Sequence, residues 1–391
     1  MPKLPSVIEL DREVKLGTYE ALGLRRIINA DARLTRLGGS LMPEPVLSAM
    51  AEAASSYVDI FELQRQVGRR VAELTHNEAA YVCTGAAAGL FLATLACMTG
   101  QDLKAIARLP RLDGLKNEVI IHNAHRMPYD PAIGLAGARL VGMGNVFQTF
   151  PWEFEATITD HTAAVLYVAG QHLRQGVLPL KETVEIAHAH DIPVIVDAAA
   201  QLPPPENLWR FTRDLHADLA IFSGGKDLCG PQASGLIVGR TDLVEACRAN
   251  GAPHQRLARA MKVGKEEMVG LLAALEWYLQ QDHGARAVQY EAIVQSWVTA
   301  LVDWQGVTAR RDFPNEAGQP VPRTLIEFEP ALCGLTAAEV RQRLWEGDPP
   351  IAVASAGIAG IYITPDTLES GEEHIIAERL KQILQLAPRH A

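Results

Sequence analysis

From about residue 118 the chain repeats one pattern: a short, continuous run of apolar, β-prone residues, then a stretch with helical spacing, then another run. The runs are Glu118–Ile121, Arg139–Met143, Ala163–Ala169, Pro193–Asp197, Asp218–Phe222 and Gly235–Val238, with helical stretches such as Ala132–Ala138 and Leu180–Ala189 between them. A strand solvated on one face alternates apolar and polar residues. Strands that are apolar throughout must be covered on both faces, and helical crossovers supply that cover. The expected fold class is α/β, with a mostly parallel sheet in a large domain. After Glu267 the pattern changes. A long helix (Met268 to Gln281, continuing through Val288 to Leu301) precedes a strand in RTLIEFEP. TAAEVRQRLWEG then reads as a helix capped by Thr336, GIYITP as a strand, and Glu372 to Leu386 as a terminal helix. The expected division is a leader over 1–27, a large domain over 28–289 and a small C-terminal α+β domain over 290–391.

Composition narrows the function. With 391 residues, 48% hydrophobic and 21% charged, the chain has the balance of a folded protein with a sizeable core. A net charge of -10 argues against general affinity for nucleic acid. Ala79 to Gly100 contains no charged residue, but it is rich in Ala, Gly and Thr, so a buried helix is expected there and no membrane span. The start, MPKLPSVIELDREV, lacks the apolar centre of a secretion signal. Five scattered cysteines with no C-x-x-C pair indicate neither a disulfide framework nor a zinc ribbon, and a reducing cytoplasm is the expected setting.

In an open parallel sheet, ligands sit beyond the carboxyl ends of the strands. In FSGGKDLCGPQASG, Lys226 stands at such an end between glycines. It is open to three readings: a surface lysine, a phosphate loop, or an amine that condenses with a carbonyl cofactor, the glycines letting a ring approach the backbone. The phosphate-loop reading fails because Asp227, and no hydroxyl, follows the lysine. Asp197 ends PVIVD, as a cap or as the partner of a buried cation such as a protonated pyridine nitrogen. Thr84-Gly85-Ala86 opens the uncharged helix, where exposed N–H groups can hold a phosphate. His125, with His122 in reserve, follows the EVII strand and suits stacking on a ring. A metal reading of that pair lacks carboxylates or thiolates nearby. His188 and His190 read as surface or packing residues.

These residues carry a resemblance. Asn29 in RRIINA, then TRLGGSLMPEPV, YVCTGAAAG, AHRMPYD, VIVDAAAQLPP, FSGGKDLCGPQASG and RAMKVGKEE, in that order, resemble the selenocysteine synthase-like branch of the fold-type I enzymes dependent on pyridoxal 5′-phosphate. Within that branch the D-glucosaminate-6-phosphate ammonia-lyase-type group is most similar. The resemblance implies an aminotransferase-like fold, Lys226 as the Schiff-base lysine and Asp197 as the pyridine partner. It further implies Thr84, Gly85 and Ala86 as the phosphate cup, a hydroxyl added by Ser223, and His125 as the stacking residue. No arginine stands in VASAGIAGIYITPD, so Arg36, Arg126 and Arg323 are the candidates for binding the substrate carboxylate. Lys262, clustered with Arg259 and Lys265, is expected to meet the cofactor phosphate of a partner in a homodimer or larger assembly. The reaction the resemblance implies, on a hydroxylated amino acid such as an amino sugar acid phosphate, is β-elimination of water with release of ammonia and a 2-oxo acid. Aldol cleavage, racemisation, seryl transfer and a non-enzymatic regulatory scaffold are the alternatives. The short leader before Ile28 counts against seryl-tRNA.

Overall fold

A computed structural model describes residues 18–386; the apolar-signal reading of the first residues lies outside them, as does most of the expected leader. The strands in chain order are β1 (Ile28–Ala30), β2 (Ala79–Cys83), β3 (Glu118–His122), β4 (Arg139–Met143), β5 (Thr162–Val168), β6 (Val194–Asp197), β7 (Leu219–Ser223), β8 (Gly235–Gly239), β9 (Val307–Asp312), β10 (Arg323–Phe328), β11 (Ile351–Ala356) and β12 (Gly360–Ile363). The chain forms two compact units. The larger holds Arg33–Val288 and Phe313–Val321; the other described residues form the smaller.

The large unit is built on a seven-stranded sheet in the order β2-β8-β7-β6-β5-β3-β4. Only β8 runs against its neighbours, β2 and β7; the pairs from β7 to β4 are parallel. The buried runs anticipated from sequence are these strands, and Ile120, Val165, Val194, Ile195 and Leu219 are fully enclosed. Each such side chain contributes roughly 1.5–3 kcal/mol of burial. Because β3 pairs with both β4 and β5, the chain reverses direction across the sheet at that point, the place beyond whose carboxyl ends ligands sit in sheets of this kind. The uncharged window resolves into β2 and the helix Ala86–Thr99, apolar on every side and buried from Ala88 through Ala96. No described helix is long and apolar enough to cross a membrane.

The small unit carries a five-stranded sheet in the order β1-β11-β12-β10-β9. Its helix Ala337–Glu346 starts at Thr336, whose hydroxyl accepts the Glu339 N–H while the Glu339 carboxylate accepts the Thr336 N–H, a reciprocal cap. Two segments depart from the division expected from sequence. β1, expected in the large domain, pairs in parallel with β11, Asn29 opposite Ala352. Phe313–Val321, expected in the small domain, belongs to the large unit, where Gln319 donates to the Leu202 carbonyl and Gln201 donates to the Ala317 carbonyl at 3.1 Å. Neither segment is long enough to show a period, so chain order alone misplaces both.

Gly235 opens β8 where it passes the loop before the helix Ala86–Thr99. A Cβ there would lie 2.5 Å from the Gly85 carbonyl carbon and 2.9 Å from the Ala86 nitrogen. Both are backbone atoms and cannot swing aside. Gly235→Ala should therefore destabilise the fold by about 1–3 kcal/mol, read as a lowered urea midpoint at unchanged slope; an unaltered midpoint would contradict this close approach.

Candidate active site

Register places the candidate residues in adjoining rows. Cys83 of β2, Gly235 of β8 and Ser223 of β7 stand opposite one another in register across three strands, so the Thr84–Ala86 loop and the exit of β7 lie side by side. β6 follows, with Asp197 opposite Ile221, then β5, with Val168 opposite Asp197. His122 ends β3 beyond them. The sheet thus brings Thr84, Gly85, Ala86, Ser223, Lys226, Asp197, His122 and His125 to one edge.

Asp197 is 7% exposed, and its backbone is locked on both sides: its carbonyl accepts the Ala169 N–H, while the next N–H, of Ala198, donates to Ile221, each at 2.9 Å. One carboxylate oxygen accepts the Ala199 N–H at 3.0 Å. No helix begins until Asn207, so the residue caps a turn and leaves the helix-cap reading behind. Burial pushes its carboxyl above the usual range, with the Ala199 bond and the Lys226 charge pulling back. Lys226 shows the reverse. Burial draws its amine below the ordinary lysine range, opposed by the charges of Asp197 and then Glu316. Each charge faces the other across adjacent strand ends, and water is too scarce to solvate either fully.

The glycines before Lys226 have a different cause from the one expected. A Cβ on Gly224 would meet the Ser234 hydroxyl at 2.0 Å, and one on Gly225 would meet the Gln232 Cα at 2.6 Å. They serve the packing of the loop against itself, where sequence reading gave them to an approaching ring.

At the other end of the row, the helix Ala86–Thr99 starts after Gly85, which has φ +91° and provides no side-chain cap. The first intrahelical bond runs from the Gly89 N–H to the Gly85 carbonyl at 3.0 Å, which leaves the N–H groups of Ala86, Ala87 and Ala88 directed out of the helix end. No acidic residue stands in the first turn to compete for them. The Thr84 hydroxyl lies 3.4 Å from the Ala233 carbonyl.

His125 is 1% exposed, and both ring nitrogens are engaged. Nδ1 accepts the Val168 N–H, and Nε2 donates to the Leu173 carbonyl, each at 3.2 Å. The ring is therefore neutral with its proton on Nε2, and burial lowers its pKa to about 4. It stands edge-on to Tyr167, 4.7 Å between centroids, and to His122 at 5.1 Å. His122 accepts the Leu178 N–H through Nε2 and is pushed down to about 3, by burial first and then by His125. Both rings are buried and held by backbone bonds, which leaves neither free to relay a proton. Among the described residues no cluster of His, Cys, Asp and Glu could hold a metal. His188 bonds the Asp218 carboxylate at 2.9 Å, at the opposite end of the sheet.

The arginines expected to bind substrate fare unequally. Arg36 is exposed in the turn Thr35–Leu37. Arg126 is held by Asp130 at 2.5 Å. Arg323 is taken up within the small unit, paired with Asp312 at 2.8 Å and stacked 3.6 Å above the Tyr362 ring, which ties it to the sheet. Of the basic cluster, Arg259 and Lys262 are exposed, whereas Lys265 is drawn inward by the Ala53 carbonyl and by Glu266 at 2.6 Å. Sequence reading missed Tyr167, Glu316 and the ion group of Arg33, the buried Asp227 and Arg286. Only Asp227, inside the quoted lysine segment, could have been flagged from its position.

An α/β sheet in this strand order, with a lysine and a carboxylate at adjacent parallel strand ends, defines the aminotransferase-like class of enzymes. A solved aspartate aminotransferase from Thermotoga maritima shares the fold, with a TM-score of 0.51 at 16% identity over 94% of each chain. The family model described as "SelA: L-seryl-tRNA selenium transferase" matches residues 28–302, and the chain belongs to that family. It is 35% identical to a D-glucosaminate-6-phosphate ammonia lyase of Salmonella typhimurium, over 94% of this chain and 98% of the relative. A solved structure of a D-glucosaminate-6-phosphate ammonia-lyase superposes with a TM-score of 0.83 at 35% identity, covering 94% of this chain and 98% of that one. A 5'-C-glycyluridine monooxygenase-decarboxylase of a Streptomyces species is also 35% identical, over 94% of this chain and 92% of the relative.

Two outcomes test the site. Asp197→Asn keeps size and the turn bond but removes the charge, so turnover should fall roughly 100- to 1000-fold while the folded protein remains; normal turnover would make Asp197 only a turn residue. The His122 and His125 ring protons should show no titration in NMR from neutral pH down to about pH 5. Because both folded values lie below the unfolded one, these rings cost stability as pH falls from about 6.5 toward 4. A midpoint near 6.5 for either ring would contradict the buried, backbone-bonded geometry.

Proposed function

We propose that this chain is a pyridoxal-phosphate-dependent ammonia-lyase acting on a hydroxylated amino acid, of the class of amino sugar acid phosphates. The observation that carries the reading is the buried Asp197 carboxylate facing the half-buried Lys226 amine across neighbouring parallel strands. Support for the cofactor comes from the donor set. The uncapped start of the helix Ala86–Thr99, with Thr84 and Ser223 beside it, suits a phosphate dianion; Lys226 suits an aldehyde; Asp197 suits a protonated ring nitrogen. Bound there, the cofactor would supply an electron sink for a carbanion at the substrate Cα.

Every other part of the mechanism belongs to the chain. Asp197 would hold a proton on the ring nitrogen of a bound cofactor, because a buried carboxylate is stabilised by the cation it faces. His125, its ring fixed by backbone bonds at both nitrogens, is the residue we assign to pack against the cofactor without exchanging a proton. Lys226, whose amine burial shifts toward its neutral form, takes the Cα proton from the face on which it stands. Loss of the Cβ hydroxyl as water then leaves an enamine that hydrolyses to a 2-oxo acid and ammonia. Glu316 brings a negative charge within reach of Lys226, suited to hydroxyl or ammonium groups of a polar substrate. Arg36 and Arg126 are the basic side chains we assign to substrate anions.

We assign the chain to a homodimer or larger assembly in which the exposed Lys262 approaches the partner's phosphate. Its five unpaired thiols suit a reducing cytoplasm. The ammonia-lyase relative favours elimination; the equally similar monooxygenase-decarboxylase makes the product the deciding evidence. The protein reconstituted with pyridoxal phosphate should show a borohydride-sensitive visible band that Lys226→Ala lacks, and should release ammonia and 2-oxo acid in equal amounts from D-glucosaminate 6-phosphate or another hydroxy amino acid in a D- and L-panel. A colourless protein would overturn the cofactor, and aldehyde release or isomerisation without ammonia would overturn the reaction.

A further inference from the structure

The turn that carries Lys226 is fixed at more points than leaving a strand requires. The Lys226 carbonyl accepts the Cys229 N–H at 2.9 Å and also the Ser40 hydroxyl, which lies 3.3 Å from the Gly225 carbonyl as well. The Gly224 N–H donates to Ser234 at 2.9 Å, the Gly230 N–H returns to Gly224 at 2.8 Å, and Gln232 reaches the Thr35 carbonyl at 3.0 Å. These bonds set the path of the backbone. They do not by themselves decide where the lysine side chain projects.

The next residue supplies that direction. The Asp227 side chain is 3% exposed, and one of its oxygens meets Arg33 at 3.1 Å and Arg286 at 3.7 Å. Arg33 is the first residue of the large unit, and Arg286 stands two residues before Val288, where the unit's first segment ends. A single carboxylate therefore ties both ends of that segment to the lysine turn. Beside it, the Tyr278 hydroxyl is pushed upward by burial and then by the Asp227 charge, so it stays protonated and adds no second anion.

Stability alone does not account for this group. A buried carboxylate between two guanidiniums is commonly no more stable than well-packed apolar residues of the same volume, because desolvation cancels most of the attraction. What such a group does provide is an anchor: two guanidiniums converge on one Asp227 oxygen and hold that side chain on their side of the turn, while its other oxygen is buried without a partner among the described residues. With the turn's backbone fixed by the bonds above, anchoring the Asp227 side chain fixes the frame from which its neighbour Lys226 projects. We propose that Asp227, held by Arg33 and Arg286, is the positioning residue that aims the Lys226 amine across the strand ends toward Asp197.

This inference rests on Lys226 being the cofactor-bearing amine, and the experiment separates the two claims. Purified wild type, Asp227→Asn and Asp227→Glu are stripped of cofactor and their melting recorded. Pyridoxal phosphate is then added, borohydride trapping at Lys226 is followed by peptide mass, and kcat and KM are measured per folded molecule. Asp227→Glu keeps the charge and should melt near the wild type, yet its displaced turn should slow trapping and lower kcat by roughly 100-fold with KM little changed. Asp227→Asn should show the same kinetic loss with a lower melting point. Should the asparagine variant fail to fold, Arg33→Lys keeps a cation but not the guanidinium that reaches Asp227 at 3.1 Å, and the same slowed trapping is expected. Wild-type trapping and kcat in the folded variants, with only melting altered, would overturn this inference alone. A wild type that traps no cofactor would overturn the functional reading and this inference with it.

Discussion

A carboxylate and an amine are held, poorly solvated, at the ends of two neighbouring parallel strands, and the rest of the large unit serves that confrontation. Asp197 is fixed because β6 lies in the interior of the sheet, bonded to β5 and β7 through its final residues. Neither group could be buried alone without neutralising. Burial moves the pKa values of the two in opposite directions, the carboxyl up and the amine down, and each restrains the other. On the proposed function, that balance suits Lys226 to act as the base and Asp197 to partner a cationic ring.

The strand pairing that places these groups also decides their neighbours. Because β8 alone is antiparallel, its first residue stands at the same edge as the last residues of β2 and β7. Gly235, lacking a side chain, lets the start of the helix Ala86–Thr99 come against that edge, so uncapped N–H groups share the row with Ser223. At the far side, where the chain reverses across the sheet around β3, His125 is locked by backbone from two directions. The chemistry is therefore distributed over strand exits that only the sheet order brings together.

Much of this was legible in the sequence, for physical reasons that differ by residue. The runs at 118–121, 163–169 and 193–197 declared themselves because a doubly covered strand must be apolar throughout. Thr336 announced a helix because a threonine before a helical run reads as its N-cap, and Glu339 completes it as a reciprocal cap. Lys226 and Asp197 stood out as charges ending apolar runs. What stayed hidden was what depends on distant pairing. Ile28–Ala30 is too short to show a period, and only its partner β11 assigns it to the small sheet. Arg323 looked as available as any arginine until Asp312 and Tyr362 were seen to hold it. Arg33 and Arg286 lie far from Asp227 in the chain, and nothing local marks either as its partner.

The central claim is that the buried Asp197 carboxylate keeps a bound pyridine ring protonated. It is tested most directly by reconstituting the protein with pyridoxal phosphate labelled with nitrogen-15 in the ring and recording the nitrogen resonance through neutral and mildly alkaline pH. The account predicts the protonated shift throughout in the wild type and its loss in Asp197→Asn. A neutral ring nitrogen in the wild-type protein at neutral pH would contradict it.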